Sequence, residues 1–174
     1  MAYEIGILTV SDSAAGGETE DRSGPLLVGL VQGLWPDAQP VLGLVSDDRE
    51  KITERLCTWA DGHNLALILT TGGTGFAPRD VTPEATHVVI DRDAPGLAEA
   101  IRSAGLQVTP HAMLSRGVAG IRGRTLIVNF SGSPKAVREQ FAVIAPVLPH
   151  ALELLQPDDG GIQHARSGEH LRRA

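Results

Sequence analysis

A glycine-rich loop that follows a buried strand is the part of this sequence best suited to chemistry. The apolar run Leu67-Ile68-Leu69 passes through Thr70 into Thr71-Gly72-Gly73-Thr74-Gly75, and the segment ends in the charged pair Arg79-Asp80. Three glycines within four positions allow the backbone to turn sharply and to bring its N–H groups close to a ligand. Because successive N–H groups form concave sites for anions, the loop favours a phosphate.

The residues beyond the loop predict the start of a helix. Thr82 is a residue type that caps helices, Pro83 suits the first helical position, and Glu84 places an acid in the first turn. The loop therefore joins a strand to a helix. In open α/β sheets, ligands bind beyond the carboxyl ends of the strands, which is where this loop is expected to lie.

Polar segments also follow three other predicted strands, and they supply the charges that a phosphate site needs. These segments are Ser11 to Gly24, Ser46-Asp47-Asp48, and Ser131-Gly132-Ser133-Pro134-Lys135. Among these segments and the glycine loop, two offer carboxylates, Asp47 or Asp48 in one and Asp80 in the other, and two offer cations, Arg79 and Lys135. Mg²⁺ is commonly held by one or two carboxylates together with phosphate oxygens and water. The set therefore suits a phosphorylated ligand with a divalent ion, and phosphoryl or nucleotidyl transfer as the chemistry.

Plainer interpretations remain open for several of these residues. Asp48, and less clearly Asp47, could cap a helix. Arg79 and Asp80 could form an exposed ion pair worth about 0–1 kcal/mol. Ser115-Arg116 could hold a phosphate or form an ordinary turn. The Walker A pattern is absent, which argues against a P-loop nucleotidase, and the histidines are too scattered to predict a metal site.

Strand-like and helix-like segments alternate along the chain, which predicts an α/β fold with a mainly parallel sheet. Strands are predicted over residues 5–10, 41–45, 65–71, 118–121 and 125–130, the last two joined as a hairpin or bent strand. Helices are predicted from residue 25 to 34, through residues 52–62, and over 83–90, 95–104 and 137–144. Pro146 and Pro149 predict a kink or two short helices ending near Leu155.

The composition narrows the class of protein. A formal net charge of −6 argues against a nucleic-acid surface. The single cysteine, Cys57, forms no intrachain disulfide, and its helical spacing predicts a packed thiol in a reducing cytoplasm. No apolar run approaches the ~20 residues of a membrane span, and the N-terminus does not read as a leader peptide. We expect one cytoplasmic domain over residues 1–155 and a polar, flexible tail over 156–174.

The loop and its surroundings resemble a known family. Residues 70–86 closely resemble the signature of the molybdopterin adenylyltransferases, which include the bacterial MogA and MoaB proteins, the gephyrin G domain and the plant Cnx G domain. Further family landmarks follow in the right order, at residues 8–12, 21–25, 94–97, 113–116 and 120–123. The similarity runs from about Tyr3 to Leu155.

This resemblance implies a three-layer, doubly wound α/β fold with helices on both faces, and a homotrimer. It also implies adenylylation of molybdopterin with MgATP to give adenylyl-molybdopterin and pyrophosphate, with a molybdenum insertase as a downstream partner. By position, Asp47 and Asp80 match the aspartates assigned to catalysis and Mg²⁺. The positions that match ligand-binding residues are Thr71, Gly72, Gly73, Thr74, Gly75, Ser115, Arg116, Ser131, Gly132, Ser133 and Lys135.

One departure from the family pattern lies in the second loop. Where the family usually has Leu-Pro-Gly or Met-Pro-Gly, this chain has Phe130-Ser131-Gly132. Loss of the proline frees φ and adds an N–H donor, so the loop is expected to be looser or differently paired. The alternative function is a non-catalytic molybdopterin-binding module of the same fold. The intact Asp47 and Asp80 favour an enzyme.

Overall fold

A six-stranded mixed sheet with helices on both faces makes up the described part of the chain, residues 2–156 of a computed structural model. The strands are β1 Glu4–Val10, β2 Gln39–Val45, β3 Leu67–Thr71, β4 Arg92–Asp93, β5 Ala119–Arg122 and β6 Thr125–Phe130. The α-helices are α1 Asp12–Ala15, α2 Ser23–Leu34, α3 Arg49–Cys57, α4 Thr82–Val89, α5 Pro95–Leu106, α6 Pro134–Ile144 and α7 Leu148–Leu155. A π-helical turn spans Thr58–Gly62, and a 3₁₀ helix spans Pro110–Leu114.

The strand order β2-β1-β3-β6-β5-β4 places the carboxyl ends of four parallel strands at one edge. Strands β2, β1, β3 and β6 are parallel, whereas β5 is antiparallel to both of its neighbours. The predicted mainly parallel sheet is therefore confirmed. From β1 the chain crosses first to β2 on one side and then to β3 on the other. This reversal opens a crevice at the carboxyl ends, where open α/β sheets bind ligands.

Successive side chains of the central strands point to opposite faces of the sheet, and this divides the core into two layers. Ile5, Ile7, Leu67 and Leu69 pack with α2, α5, α6 and α7 on one face of the sheet. Leu8, Val10 and Ile68 pack with α3 and α4 on the other. A strand that is buried on both faces must be apolar at nearly every position, which explains the continuous apolar runs in the sequence.

Several local expectations are wrong or need refinement. The polar loop predicted over residues 11–24 contains α1, because the Ser11 hydroxyl accepts from Ala14 N and caps the helix. Thr82 does not cap α4. It is the first helical residue, and its hydroxyl donates to the Gly72 carbonyl at 2.9 Å. A short strand, β4, separates the two helices predicted in succession.

The remaining expectations concern the ends of helices. The prolines divide the C-terminal pattern into α6 and α7, which confirms the two-helix alternative. Cys57 is half-buried against the second core layer, which confirms the packed thiol. Within residues 2–156, none of the helices has the length and apolar character to cross a bilayer. The predicted tail falls almost entirely on residues 157–174, outside the described part.

Candidate active site

The loops that follow the four parallel strands are tied to one another by hydrogen bonds. Ser11 N donates to the Val45 carbonyl at 2.9 Å, which links the end of β1 to that of β2. Gly72 N donates to the Phe130 carbonyl at 3.1 Å. The Thr71 hydroxyl donates to the Ser131 carbonyl at 2.8 Å, so the glycine loop and the second loop are joined twice. The structure thus brings together the polar segments that the sequence places at separate strand ends.

Glycine is required at two positions of the loop. Gly72 and Gly73 have φ values of 100° and 64°, in the left-handed region that L side chains rarely adopt. A Cβ on Gly72 would also collide with the Val10 carbonyl oxygen, and one on Gly73 would lie 3.0 Å from Asp47 Oδ1. The glycines therefore allow three strand ends to approach one another closely. The Gly72 N–H donates to the Phe130 carbonyl within the protein.

Asp47 is held by hydrogen bonds to Asp12, which forms an ion pair with Arg79 that sequence reasoning missed. Its Oδ2 accepts from Asp12 N at 2.8 Å, and Asp12 Oδ1 accepts from Asp47 N at 3.0 Å. Both oxygens of Asp12 also accept from the Arg79 guanidinium, at 2.8 and 2.7 Å. The pairing of Arg79 with Asp80 that the sequence left open is thus wrong, because Arg79 reaches across to α1.

The electrostatics of the aspartates follow from this arrangement. Burial raises the pKa of Asp47, and the charges of Asp12 and Asp80 add to the effect, against the hydrogen bond from Asp12 N. The hydrogen bond from Arg79 lowers the pKa of Asp12. The Arg79 guanidinium is hydrogen-bonded to Asp12, while the charges of both Asp12 and Asp80 act on Asp47, so negative charge is in excess around Asp47 even with Arg79 and Lys51 nearby.

Asp80 closes the glycine loop. Its Oδ2 accepts from Ala77 N at 2.9 Å, and its own N–H donates to the Ala77 carbonyl at 2.9 Å. A Cβ on Gly75 would lie 2.8 Å from the same carboxylate oxygen. The small residue at position 75 therefore leaves room for the Asp80 carboxylate beside the loop.

Arg116 holds the glycine loop from outside. Its Nε donates to the Gly75 carbonyl at 2.7 Å and its Nη2 to the Asp80 carbonyl at 2.6 Å, so the guanidinium spans both ends of the turn. Its Nη1 is paired with Glu84 Oε1. Burial, the largest single cause, raises the pKa of Glu84, but the Arg116 hydrogen bond, a backbone hydrogen bond and the charges of Arg116 and His87 together outweigh it, so the pKa is lowered.

Two cavities lie side by side at this edge of the sheet. The larger has a volume of about 680 Å³ and extends from the glycine loop between α5, the 3₁₀ helix and α6. The smaller, of about 260 Å³, lies toward Ser11, Asp21 and Ser23. Gly72 and Gly132 line both, and a Cβ on Gly132 would lie 3.3 Å from the Gly72 Cα. The edge therefore offers two adjoining spaces separated by bare backbone.

Comparison with known proteins identifies the family. Residues 6–150 match the family described as "Probable molybdopterin binding domain". The chain belongs to this family.

Two kinds of relative are found for this molybdopterin-binding family member. A Helicobacter pylori protein named molybdopterin adenylyltransferase is 39% identical over 156 residues, which is 89% of each chain. The Drosophila melanogaster molybdenum cofactor synthesis protein cinnamon is 44% identical over 88% of this chain, but the match spans only 26% of its length. Among solved structures, the molybdopterin biosynthesis enzyme MoaB of Thermus thermophilus superposes with a TM-score of 0.83 at 49% identity, covering 90% of this chain and 98% of that one.

Some of the predicted site residues line the larger cavity of this family member, and others do not. Gly72 to Gly75, Asp80, Ser115, Ser131 and Gly132 line it. Thr71 instead links the loops, and Arg116 is occupied by the loop carbonyls. Ser133 caps α6 by accepting from Ala136 N. The Lys135 side chain is 78% exposed and lies 3.9 Å from Glu139. Asp48 caps α3 by accepting from Lys51 N, as the plainer interpretation held.

Sequence reasoning missed the wall opposite the glycine loop. It consists mainly of side chains from α5, the 3₁₀ helix and α6, among them Ile101, Val108, His111, Glu139, Gln140 and Val143. Ala136, Gln140 and Val143 share one face of α6 by their helical spacing, and this periodicity is a signal that could have indicated part of the wall. In the part of the chain that the structure describes, no three His, Cys, Asp or Glu side chains are placed to hold a metal alone.

Replacement of Arg116 by lysine is expected to loosen the glycine loop. Lysine keeps the charge but cannot bridge two carbonyls and Glu84 with a planar fork. We expect a loss of about 1–3 kcal/mol in the free energy of unfolding and a lower kcat. Urea denaturation and steady-state kinetics measure the two effects.

Arg122→Lys is the matched control. Arg122 makes a similar forked pair with Asp61, at 2.8 and 2.6 Å, and a bond to the Val89 carbonyl, but it lines neither cavity. It should lose stability while keeping kcat. An equal loss of kcat in both variants would show that Arg116 acts through stability alone.

Proposed function

We propose that this chain is a molybdopterin adenylyltransferase of molybdenum cofactor biosynthesis. In this reaction an oxygen of the terminal phosphate of molybdopterin attacks the α-phosphorus of ATP. The new P–O bond gives adenylyl-molybdopterin, and the bond between the α-phosphorus and the bridging oxygen breaks to release pyrophosphate. The observation that carries the proposal is the pair of adjoining cavities beside Gly72 and Gly132, since a two-substrate transfer needs two phosphorylated ligands to meet.

The residues at this edge fit the proposed chemistry. Phosphoryl and nucleotidyl transfer depend mainly on positioning and on neutralising charge, so the protein needs fixed loops and a cation site more than a strong base. The glycine loop is fixed by Thr71, Thr82 and Arg116. The larger cavity has a largely apolar wall formed by side chains such as Ile101 and Val143, which suits a flat ring system.

Mg²⁺ fits the donor set at Asp47 and Asp80. Oxygen ligands from two carboxylates, completed by phosphate oxygens and water, are what this hard cation prefers. The surplus of negative charge around Asp47 favours a cation there. When bound, the ion would offset charge on the phosphates during transfer. Asp12 and Arg79 hold the Asp47 backbone and carboxylate in place for this role.

Relatives support the activity and suggest further partners. The Helicobacter pylori adenylyltransferase is matched over 89% of its length, so its named activity concerns the same domain. The chain spans about a quarter of cinnamon and of Dictyostelium discoideum gephyrin, whose remaining sequence lies outside the match. We infer a separate molybdenum insertase as partner, a homotrimer in solution and a cytoplasmic location. Light scattering tests the trimer, and co-purification with an insertase tests the partner.

The experiment that tests the function mixes the purified protein with molybdopterin and MgATP under anaerobic conditions. We expect pyrophosphate and adenylyl-molybdopterin in equal amounts. Calorimetric titration with molybdopterin alone measures binding of the pterin separately from turnover. Tight binding of the pterin without pyrophosphate would instead support the non-catalytic binding module.

A further inference from the structure

Ser131 and Gln140 form a closed pair of hydrogen bonds at the edge of the larger cavity. Ser131 N lies 2.9 Å from Gln140 Oε1, and Gln140 Nε2 lies 2.9 Å from Ser131 Oγ. Both residues line the cavity. Gln140 is in the second turn of α6, so the helix reaches back to the loop that precedes it. The N–H that serine adds at this position is thereby satisfied.

The chemistry of the pair determines which atom donates. A backbone N–H can only donate, so the amide oxygen of Gln140 must face Ser131 N. The amide NH₂ is then left facing Ser131 Oγ, and since NH₂ cannot accept, the hydroxyl is the acceptor in that contact. The single proton of the Ser131 hydroxyl is therefore not used by Gln140 and is available to another acceptor.

The backbone around Ser131 is fixed independently. Its carbonyl accepts from the Thr71 hydroxyl at 2.8 Å, and the next carbonyl, that of Gly132, accepts from the Ser23 hydroxyl at 2.6 Å. Ser131, which lines the larger cavity, is thus held on a fixed segment directly before Gly132, and Gly132 approaches Gly72 and lines both cavities. A donor placed in advance costs little ordering entropy when a ligand binds.

We propose that Gln140 is a positioning residue that makes the Ser131 hydroxyl a hydrogen-bond donor to a phosphate oxygen of a bound substrate. The identity of that substrate rests on the proposed function. The phosphate belongs either to ATP or to molybdopterin, and the two ligands can be titrated separately. Gln140 acts through Ser131, so the two side chains form one functional unit.

The test measures binding of MgATP and of molybdopterin, each alone, by calorimetry for four proteins: wild type, Ser131→Ala, Gln140→Met and the double variant. Ser131→Ala removes the donor and keeps the N–H bond to Gln140. We expect it to weaken the binding of one ligand about 10- to 150-fold, which is the contribution of a hydrogen bond to a charged group. The ligand that weakens identifies the source of the phosphate.

Gln140→Met should weaken the binding of the same ligand, and the double variant should bind no more weakly than the weaker-binding of the two single variants. In steady-state turnover, these variants should have a higher KM for that ligand, while their kcat stays within about twofold of the wild-type value. Arg138→Met, on the exposed side of the same helix, is the control for changes in α6 and should match wild type. Thermal denaturation confirms that each variant is folded.

Two results would overturn the proposal. One is a Ser131→Ala protein that binds both ligands as wild type does. The other is a double variant whose loss is the product of the single losses, because independent residues act additively in free energy. Absence of pyrophosphate in the wild type would remove the proposed function and leave this binding comparison intact, so the two failures are distinguishable.

Discussion

Asp80→Asn is expected to lower kcat about 10²- to 10³-fold while the protein remains folded. Asparagine is nearly isosteric and retains an oxygen that can accept from Ala77 N, so the turn of the glycine loop is preserved. What it lacks is the negative charge proposed to hold Mg²⁺ at the transferring phosphate. Steady-state pyrophosphate release at saturating MgATP measures the effect.

The matched control for this variant is Asp48→Asn. Asp48 lies directly beside Asp47 but caps α3 through Lys51 N, and asparagine caps helices equally well. This control should keep wild-type kcat and a free energy of unfolding within about 0.5 kcal/mol of wild type. If Asp80→Asn turned over as fast as Asp48→Asn, the Asp80 carboxylate would have no part in the reaction.

Gly72→Ala is expected to have the largest effect on stability. A Cβ at φ 100° is strained, and it would collide with the Val10 carbonyl oxygen at the end of the neighbouring strand. Strain and overpacking together should cost about 2–5 kcal/mol in the free energy of unfolding. The separation of β1 from the loop should also break the bond from Gly72 N to Phe130. Urea denaturation monitored by tryptophan fluorescence measures the loss.

Gly29→Ala is the control for the glycine substitution itself. Gly29 lies inside α2, and a Cβ there would meet nothing within 4 Å. Since alanine favours helix over glycine, this variant should be more stable than wild type by up to about 1 kcal/mol. A Gly72→Ala protein as stable as wild type would mean that the loop can move away from Val10, contrary to the geometry.

The parts of the fold that could be predicted are those that depend on local patterns. The continuous apolar runs of β1, β3 and β6 predict buried parallel strands, and Pro134 after Ser133 predicts the start of α6. Such signals need only neighbouring residues. The parallel order of these strands then places their carboxyl ends together, which is why the glycine loop, Asp47 and Ser131 could be assigned to one edge.

The pairing of charged side chains could not be predicted, because it depends on distances between segments far apart in the chain. Arg79 lies next to Asp80 in sequence but binds Asp12, which is 67 positions away. Arg116 carries the positive charge expected of a phosphate-binding residue, yet its guanidinium donates to the loop carbonyls of Gly75 and Asp80. A guanidinium can donate to carbonyl oxygens as well as to phosphate oxygens, so the residue type alone does not say which acceptor it has.

The contacts of Ser131, which replaces the proline usual in the family, also depend on a residue distant in the sequence. Loss of the proline predicts a looser loop or a different pairing, and the structure has the second of these. Gln140 satisfies the added N–H at 2.9 Å. The compensating residue lies nine positions downstream on a helix whose orientation the sequence does not specify.

The most direct test of the central claim follows a label from ATP. Wild-type protein is incubated with molybdopterin, Mg²⁺ and ATP labelled at the α-phosphorus, and the products are separated. We predict that the label appears in adenylyl-molybdopterin, with one unlabelled pyrophosphate for each labelled product and no free AMP. Recovery of all label in ATP while molybdopterin stays bound, or its release as AMP with no labelled pterin, would contradict the assignment.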